Sequence, residues 1–566
     1  WNTPNIFFFD DWIANLLSEL EVNSHCDRYL NKIRENLIWE DVGSELINSD
    51  LIGRPGLIKQ LSLSRNLLLH YEVDRQKLKY SATSADELLF LKLLENFEEK
   101  LHEGHWIDST KRIKKLRDYF THNFKGKYKQ DFYLVGFNYI SPLINSLLET
   151  LNNNGSRTEI HENNNLTKDN VFSATYDDDL SEYRSAGLWA QSIIKNNASA
   201  RIAIISNEIE SRLDNVVRHI QEGFMPDRFL ESSSLSSIIN HTKGNILSNY
   251  PAINIALLIL KLVKSGLTSQ EVSILLRTDY LESTTKAAKS RLELILRGYP
   301  DRNWQANDLI LLFTNIDKSE SAIEFIATLK LISNYVAKLD VITLPQQGIQ
   351  IIDDLLTQCN WLTQETTNDF VIQLKNRWLD LLNQLANLED VRKNLTLRQI
   401  IVRLDALANE VTWQPTGKWN PISVISLEES QGFEYDAVWI SGMDGSSIPR
   451  LKKNSSFIPN DIQKQYLMPD STPAISLNKC KDNLLSLVSS SNYCVMTWSK
   501  IRNGDLQSPS QILNDYSLQE FSLSTQQNSL IEEHIGADCI EHEDQRAPML
   551  TSDEFILGGA YTIQHQ

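Results

Sequence analysis

Between Trp106 and Lys129 the chain places Lys111, Arg112, Lys114, Lys115, Arg117, Lys125, Lys127 and Lys129 among Trp106, Tyr119, Phe120, Phe124 and Tyr128. Cationic side chains neutralise phosphates and aromatic rings stack on bases, so this mixture is what a single-stranded nucleic-acid track needs. It equally suits a helix that solvates its basic face and sinks its aromatics into a core. Lys111, Arg112, Lys114, Lys115 and Lys127 are the candidate DNA contacts of this segment. A second constellation is Ser430, Gln431 and Gly432, between the strand-like runs at 422–427 and 437–442. Small residues after a buried strand let backbone N–H groups approach phosphate. A tight strand connection without a ligand is the competing reading.

Other reactive residue types lack the spacing for chemistry. Asp177-Asp178-Asp179 directly precedes a helical pattern and reads as capping and dipole complementarity rather than metal ligation. The five cysteines, Cys26, Cys359, Cys480, Cys494 and Cys539, form no C-x-x-C pair and have no histidine at ligand spacing. That pattern argues against a zinc ribbon or a disulfide framework and for reduced thiols. His102, His105 and His122 stand at no ligand spacing, and no G-x-S-x-G segment offers a nucleophile. No cofactor is expected in this chain.

With 55 Lys+Arg against 73 Asp+Glu the formal charge is −18. A general nucleic-acid coat needs a basic surface, so that class is disfavoured while a local basic groove is not. Hydrophobic content of 41% and charged content of 23% belong to an ordinary globular protein. The longest apolar stretch, Ile253 to Leu260, is stopped by Lys261, far short of the ~20 residues of a bilayer span. No membrane contact is expected, and the location expected is the cytoplasm. The start at Trp1, without a basic-then-apolar leader, reads as a fragment with no secretion signal.

The elements that would position these residues follow from periodicity. Residues 1–151 read as an α/β remnant carrying a helical insertion from about 20 to 129, with Asp10 or Asp11 capping a first helix and 132–137 a buried strand. Asparagine-rich residues 152–170 read as an exposed linker loop. Strand and helix patterns then alternate over 171–234 and resume over 416–566, which predicts a second α/β domain. Residues 235–415 between them keep helical periodicity and read as a large helical insertion.

Val424-Ile425-Ser426-Leu427-Glu428-Glu429-Ser430-Gln431-Gly432-Phe433-Glu434-Tyr435-Asp436-Ala437-Val438-Trp439-Ile440-Ser441-Gly442-Met443-Asp444 resembles the T-x-H-x-[SA]-K-G-L-E-[FY]-x-x-V-x-[IVL]-x-G-[ML] segment of UvrD-like helicases. The wider chain resembles one branch, the AddB-like and RecB-family DNA repair exonucleases. Ser441 to Pro449 matches their G-M-D-x-x-x-x-P segment, Leu134 to Pro142 their L-x-G-F-[DN]-x-[LIV]-[ST]-P segment, and Phe457 to Gln463 and Leu467-Met468-Pro469 lie where that branch has such residues. The resemblance implies two RecA-like domains of the superfamily 1 helicase type, each with a large helical insertion. It also implies DNA, as single strands or ends, and an AddA-like or UvrD-like helicase subunit as partners.

Departures from the pattern bear on chemistry. A working helicase of this class needs G-K-[ST], an acidic pair on a strand for magnesium, and a γ-phosphate-sensing arginine. No G-K-[ST] occurs in the chain, Val135-Gly136-Phe137-Asn138 carries no acidic pair, and Val488 to Asn492 lacks the arginine. Glu428 stands for the family's His and Gln431 for its Lys. Phe555 to Gln566 resembles the approach to a PD-(D/E)XK nuclease domain, which would hold a divalent metal beyond Gln566. The expectation is a catalytically inactive helicase-like scaffold that binds DNA and positions a nuclease domain. The alternatives are an ATP-dependent helicase subunit whose phosphate loop lies upstream of Trp1, and an interaction body without DNA contact.

Overall fold

The structure, a computed structural model, describes residues 5–21, 28–46, 55–123, 130–137, 139–160, 170–225, 239–241, 244–281, 286–316, 320–362, 369–415, 420–450 and 454–523. No helix among them is long and apolar enough to cross a membrane.

The first part is helical: α1 (Phe9–Glu21), a short strand β1 (Arg28–Tyr29), α2 (Lys32–Leu46), α3 (Pro55–His70), α4 (Arg75–Ser81), α5 (Ala85–Glu103), β2 (Trp106–Ile107) and α6 (Ser109–Asn123). Local chemistry sets α5. Ser84 and Glu87 form a reciprocal capping box at its start, and Gly104 follows its last residue. Its buried residues, Phe90, Leu93, Leu94, Phe97 and Leu101, recur at three- and four-residue spacing and so make one face. Trp39 of α2 stacks on Phe97 at 3.9 Å between centroids. Phe457, Ile458, Ile462 and Met468, far along the chain, complete this core. One expectation shifts: α1 starts at Phe9, so Asp10 and Asp11 occupy its first turn instead of capping it. Carboxylates still favour that position because the helix N-terminus is its positive end.

Next come β3 (Asp131–Leu134), α7 (Pro142–Asn153) and β4 (Arg157–Ile160), with β3 and β4 parallel. The strand and the helix after it are where the pattern predicts them, and β4 makes them one β-α-β unit, but β3 is not a buried strand. Phe132 packs against the core of α1, α6 and α7, while Tyr133 on the alternate face is 66% exposed. With two paired strands among the described residues, no described layer covers that second face. The linker reading of 152–170 also needs correction: Asn152 and Asn153 finish α7, and Arg157 to Ile160 form β4. Arg157-Thr158-Glu159-Ile160 has no apolar run, and none of its four residues is fully buried. Residues 161–169 of that stretch lie outside the described residues.

The larger α/β domain follows the alternation expected from sequence. Its elements are β5 (Val171–Asp178), α8 (Asp179–Asn196), β6 (Ile202–Ile205), α9 (Ile209–Phe224), β7 (Ile239–His241) and β8 (Asn245–Ile246). Helices from α10 (Pro251–Lys264) to α17 (Leu397–Glu410) then fill the insertion, eight among the described residues, with β9 (Ile342–Thr343) paired to β10 (Leu395–Thr396). After β11 (Thr412–Trp413) the domain resumes with β12 (Ile422–Ile425), β13 (Ala437–Ile440), α18 (Asn460–Gln465), α19 (Pro473–Ser489), β14 (Cys494–Arg502), β15 (Asp505–Leu506) and β16 (Gln519–Glu520). β8 and β11 pair antiparallel, so the insertion leaves and rejoins the domain through a two-stranded ribbon.

One sheet of order β16-β5-β14-β13-β6-β12-β7 results, parallel throughout, with β15 antiparallel on β14. All four residues of β6 and of β13 are buried. Continuous apolar runs are what a parallel strand needs when both faces are covered. Here α8 and α9 lie over Ile202, Ile204 and Trp439, while α19 lies over Ala203, Ile205 and Val438.

Candidate nucleic-acid interface

The basic segment sits on α6, and its surroundings decide which cations are available. Asp108 accepts from the Lys111 amide at 2.8 Å and pairs with buried Arg65 at 2.6 Å, fixing where the helix begins. Ile113, Leu116 and Phe120 point into the core. Between these rows Lys114 is exposed and Lys111 and Lys115 are half-buried. Lys111, Lys114 and Lys115 line one groove of about 940 Å³ together with Arg75, His102, His105 and Trp106. Glu72, Asp74 and Asp118 also line it. Arg117 engages Glu72 at 2.5 Å and Asp118 at 3.2 Å, while Asp74 caps α4 through the Gln76 amide at 2.9 Å.

Two of the expected contacts are occupied otherwise. The Arg112 guanidinium lies 3.5 Å above the Tyr29 ring and does not line the groove, so it ties α6 to β1. Lys111 pairs with Glu98, which also holds Arg65 at 2.7 Å. Burial alone would raise the Glu98 carboxyl, but Arg65 and Lys111 outweigh it and hold its pKa below the usual carboxylate range. Lys127 lies outside the described residues. Phe120 serves the core, whereas Trp106 is an aromatic wall of the groove.

The loop after β12 departs from the sequence expectation. Ser430 is 1% exposed; its amide donates to Ser426 O at 3.1 Å and its hydroxyl to Leu427 O at 2.8 Å. Gln431 Nε2 donates to the Leu427 and Asn483 carbonyls at 2.8 and 3.2 Å. These bonds engage the Ser430 amide and hydroxyl and the Gln431 side chain within the protein, where the sequence reading offered Ser430 and Gln431 to DNA. Gly432 has φ +81° and abuts Gly136, also at φ +81°: a Cβ on Gly432 would stand 2.8 Å from Gly136 Cα. The loop of the large domain therefore meets the end of β3 backbone to backbone, which only glycine permits.

A charge network that sequence reading did not single out lies at the carboxyl edge of the sheet. Arg502, at the end of β14, donates to Glu182 at 2.6 Å and to Asp444 at 2.8 Å, and lies 3.5 Å from Glu208. Glu182 also accepts from the Gly442 amide at 2.8 Å and from Thr497 at 2.6 Å. Asp444 accepts from the Ser446 hydroxyl at 2.7 Å and the Ser447 amide at 2.9 Å. Burial works against the charge on Arg502, but Glu182, Tyr183, Glu208 and Asp444 together raise its pKa. The result is an arginine held charged between carboxylates. The visible clue is Asp444 within the G-M-D segment; nothing in the sequence pairs it with Glu182 or Arg502. Nearby, Asn207, Glu428, Arg450 and Lys479 line a crevice outside the carboxyl ends of β6, β12 and β13, where open α/β sheets commonly bind ligands.

Asp178 caps α8 through the Ser181 amide at 2.7 Å, in line with the capping expected of the aspartate run. Among the described residues no group of three or more His, Cys, Asp or Glu is placed to hold a metal ion. No family model matches the chain, and no curated protein matches it.

Proposed function

We propose that the chain is the helicase-like scaffold of an AddB-like DNA repair nuclease, itself without ATP turnover, which holds single-stranded DNA or a DNA end in the cytoplasm. In this reading the large parallel sheet with α8, α9 and α19 is one RecA-like domain. The β3-α7-β4 unit belongs to the other, and each domain carries a helical insertion. A nuclease domain with its divalent metal and an AddA-like or UvrD-like helicase subunit are the expected partners.

The observation that carries this reading is the α6 groove. It gathers Lys111, Lys114, Lys115, Arg75 and two histidines beside Trp106 in a chain of net charge −18. Cations for phosphate with an aromatic wall for a base form a single-strand track. The test is the salt dependence of oligothymidylate binding by the wild type and by K111E/K114E/K115E. Every phosphate that the variant no longer neutralises should flatten the slope of log K against log salt by about 0.7 for a single strand. Equal affinity and equal slope in both proteins would mean that the groove only solvates α6.

A further inference from the structure

A second cleft, of about 680 Å³, opens where the three large parts of the molecule meet. Its walls come from stretches far apart in sequence: Lys32, Asn36 and Lys59 from the helical body, 209–215 from α9, and the insertion's root at 244–249 and 409–412. That size is in the range of ligand pockets, roughly 300–1,000 Å³, and domain junctions are where such pockets form. The lining is polar. Lys32 and Lys59 have no ion-pair partner among the described residues, whereas Arg212 is held by Asp179 at 2.9 Å. Asp214 and Glu410 stand on the other walls, with Asn245 between the units. Asn36 Oδ1 is buried and has no hydrogen-bond donor among the described residues. A buried acceptor left unmet is costly, so a donor delivered into the cleft would be stabilising.

We propose that this cleft binds a phosphorylated, hydroxyl-rich small molecule. Lys32 and Lys59 take the phosphate. Asp214 and Glu410 accept from hydroxyls, as carboxylates do at a ribose, and Asn36 accepts from the remaining donor. Lys32 and Lys59 and the two carboxylates are on different units, with Arg212 on the carboxylate side already held by Asp179, so a ligand with an anionic end and a hydroxyl end fits and an apolar one does not. The same chemistry occurs in a free nucleoside or sugar phosphate and in one nucleotide of a strand. Because the ligand touches three units at once, its binding should also raise the melting temperature by mass action. The inference is independent of the α6 groove, which shares none of these residues.

The test uses the whole chain and three probes: adenosine monophosphate, inorganic phosphate and a short oligothymidylate, each titrated by calorimetry and by thermal shift. Saturable binding of the monophosphate is expected, weakened about tenfold or more in K32E/K59E, since both charge-assisted phosphate contacts are lost. D214N/E410Q should weaken the monophosphate and leave inorganic phosphate unchanged, and K114E/K115E should change neither. Binding of the oligonucleotide without the monophosphate, lost in K32E/K59E and kept in K114E/K115E, would assign the phosphate to a strand. K32Q/K59Q serves if the charge reversal does not fold. The proposal fails if no probe saturates up to about 10 mM, or if a folded lysine variant binds as the wild type does.

Discussion

Gly136 and Gly432 show how much one side chain can weigh. Both have φ +81° and their backbones touch, so a methyl group on Gly432 meets main-chain atoms that cannot swing aside. Gly504 has φ +87° with nothing within 4 Å of a built Cβ. Replacing either Gly432 or Gly504 incurs the left-handed penalty, about 1–2 kcal/mol, but only Gly432 adds a collision. Gly432→Ala should therefore lower stability in urea unfolding by more than Gly504→Ala does, and equal losses would mean that the junction gives way freely. Arg502 makes the same point electrostatically. It is 3% exposed and satisfies Glu182 and Asp444, each 0% exposed. Arg502→Ala leaves two buried carboxylates without their cation and should cost about 3–5 kcal/mol, measurable in the same unfolding experiment. A loss under about 1 kcal/mol would show that water reaches them.

Among the elements, α6 is positioned by α3 and α5 through the Arg65–Glu98–Asp108–Lys111 cluster. The lowered pKa of Glu98 fixes the sign of a pH effect. A carboxyl with a folded pKa below its unfolded value, about 4.3, stabilises the fold above that value and loses this contribution as pH falls through the folded pKa. Acid should thus loosen the helical body below about pH 4. Glu98→Gln should reduce stability at pH 7 and flatten its dependence on pH in that acid range. An unaltered pH profile would place the titration elsewhere. The same substitution frees Lys111 of its counter-charge, so binding of oligothymidylate should not weaken.

Over the whole molecule, the three large parts are fastened to one another. Phe457 packs 5.6 Å from Phe90, Arg403 of α17 holds Glu40 of α2 at 2.5 Å, and Arg34 donates to the Asn387 carbonyl at 2.7 Å. Helicases turn over ATP by moving their domains against each other, with a phosphate loop, an acidic pair and an arginine supplying the chemistry. Ser430 here bonds within its own turn, Gln431 bonds to that turn and to the Asn483 carbonyl of α19, and Gly432 meets Gly136 directly. The expected outcome of a DNA-stimulated ATPase assay on the chain is no turnover above background. Hydrolysis at the 1–100 s⁻¹ of ordinary phosphoryl-transfer enzymes would instead support the helicase alternative.

The α/β alternation of the large domain is written in the order of its residues. Ile202-Ala203-Ile204-Ile205 and Ala437-Val438-Trp439-Ile440 are apolar without alternation because both faces are covered, and such runs are legible in one dimension. The helical insertion is legible for a similar reason, its stripes recurring at 3.6 residues. The strand at 157–160 is not, since none of its four residues is fully buried and so no apolar pattern is required of it. Nor could residue order say that Arg112 would lie on Tyr29, that Ser430 would turn inward, or that Glu182, Asp444 and Arg502 would meet across hundreds of residues. Composition nominated the cations; the folded chain selects which of them face solvent. An ion pair forms wherever chain topology brings opposite charges together in a medium of low dielectric, and that proximity is a property of the fold, not of spacing along the chain.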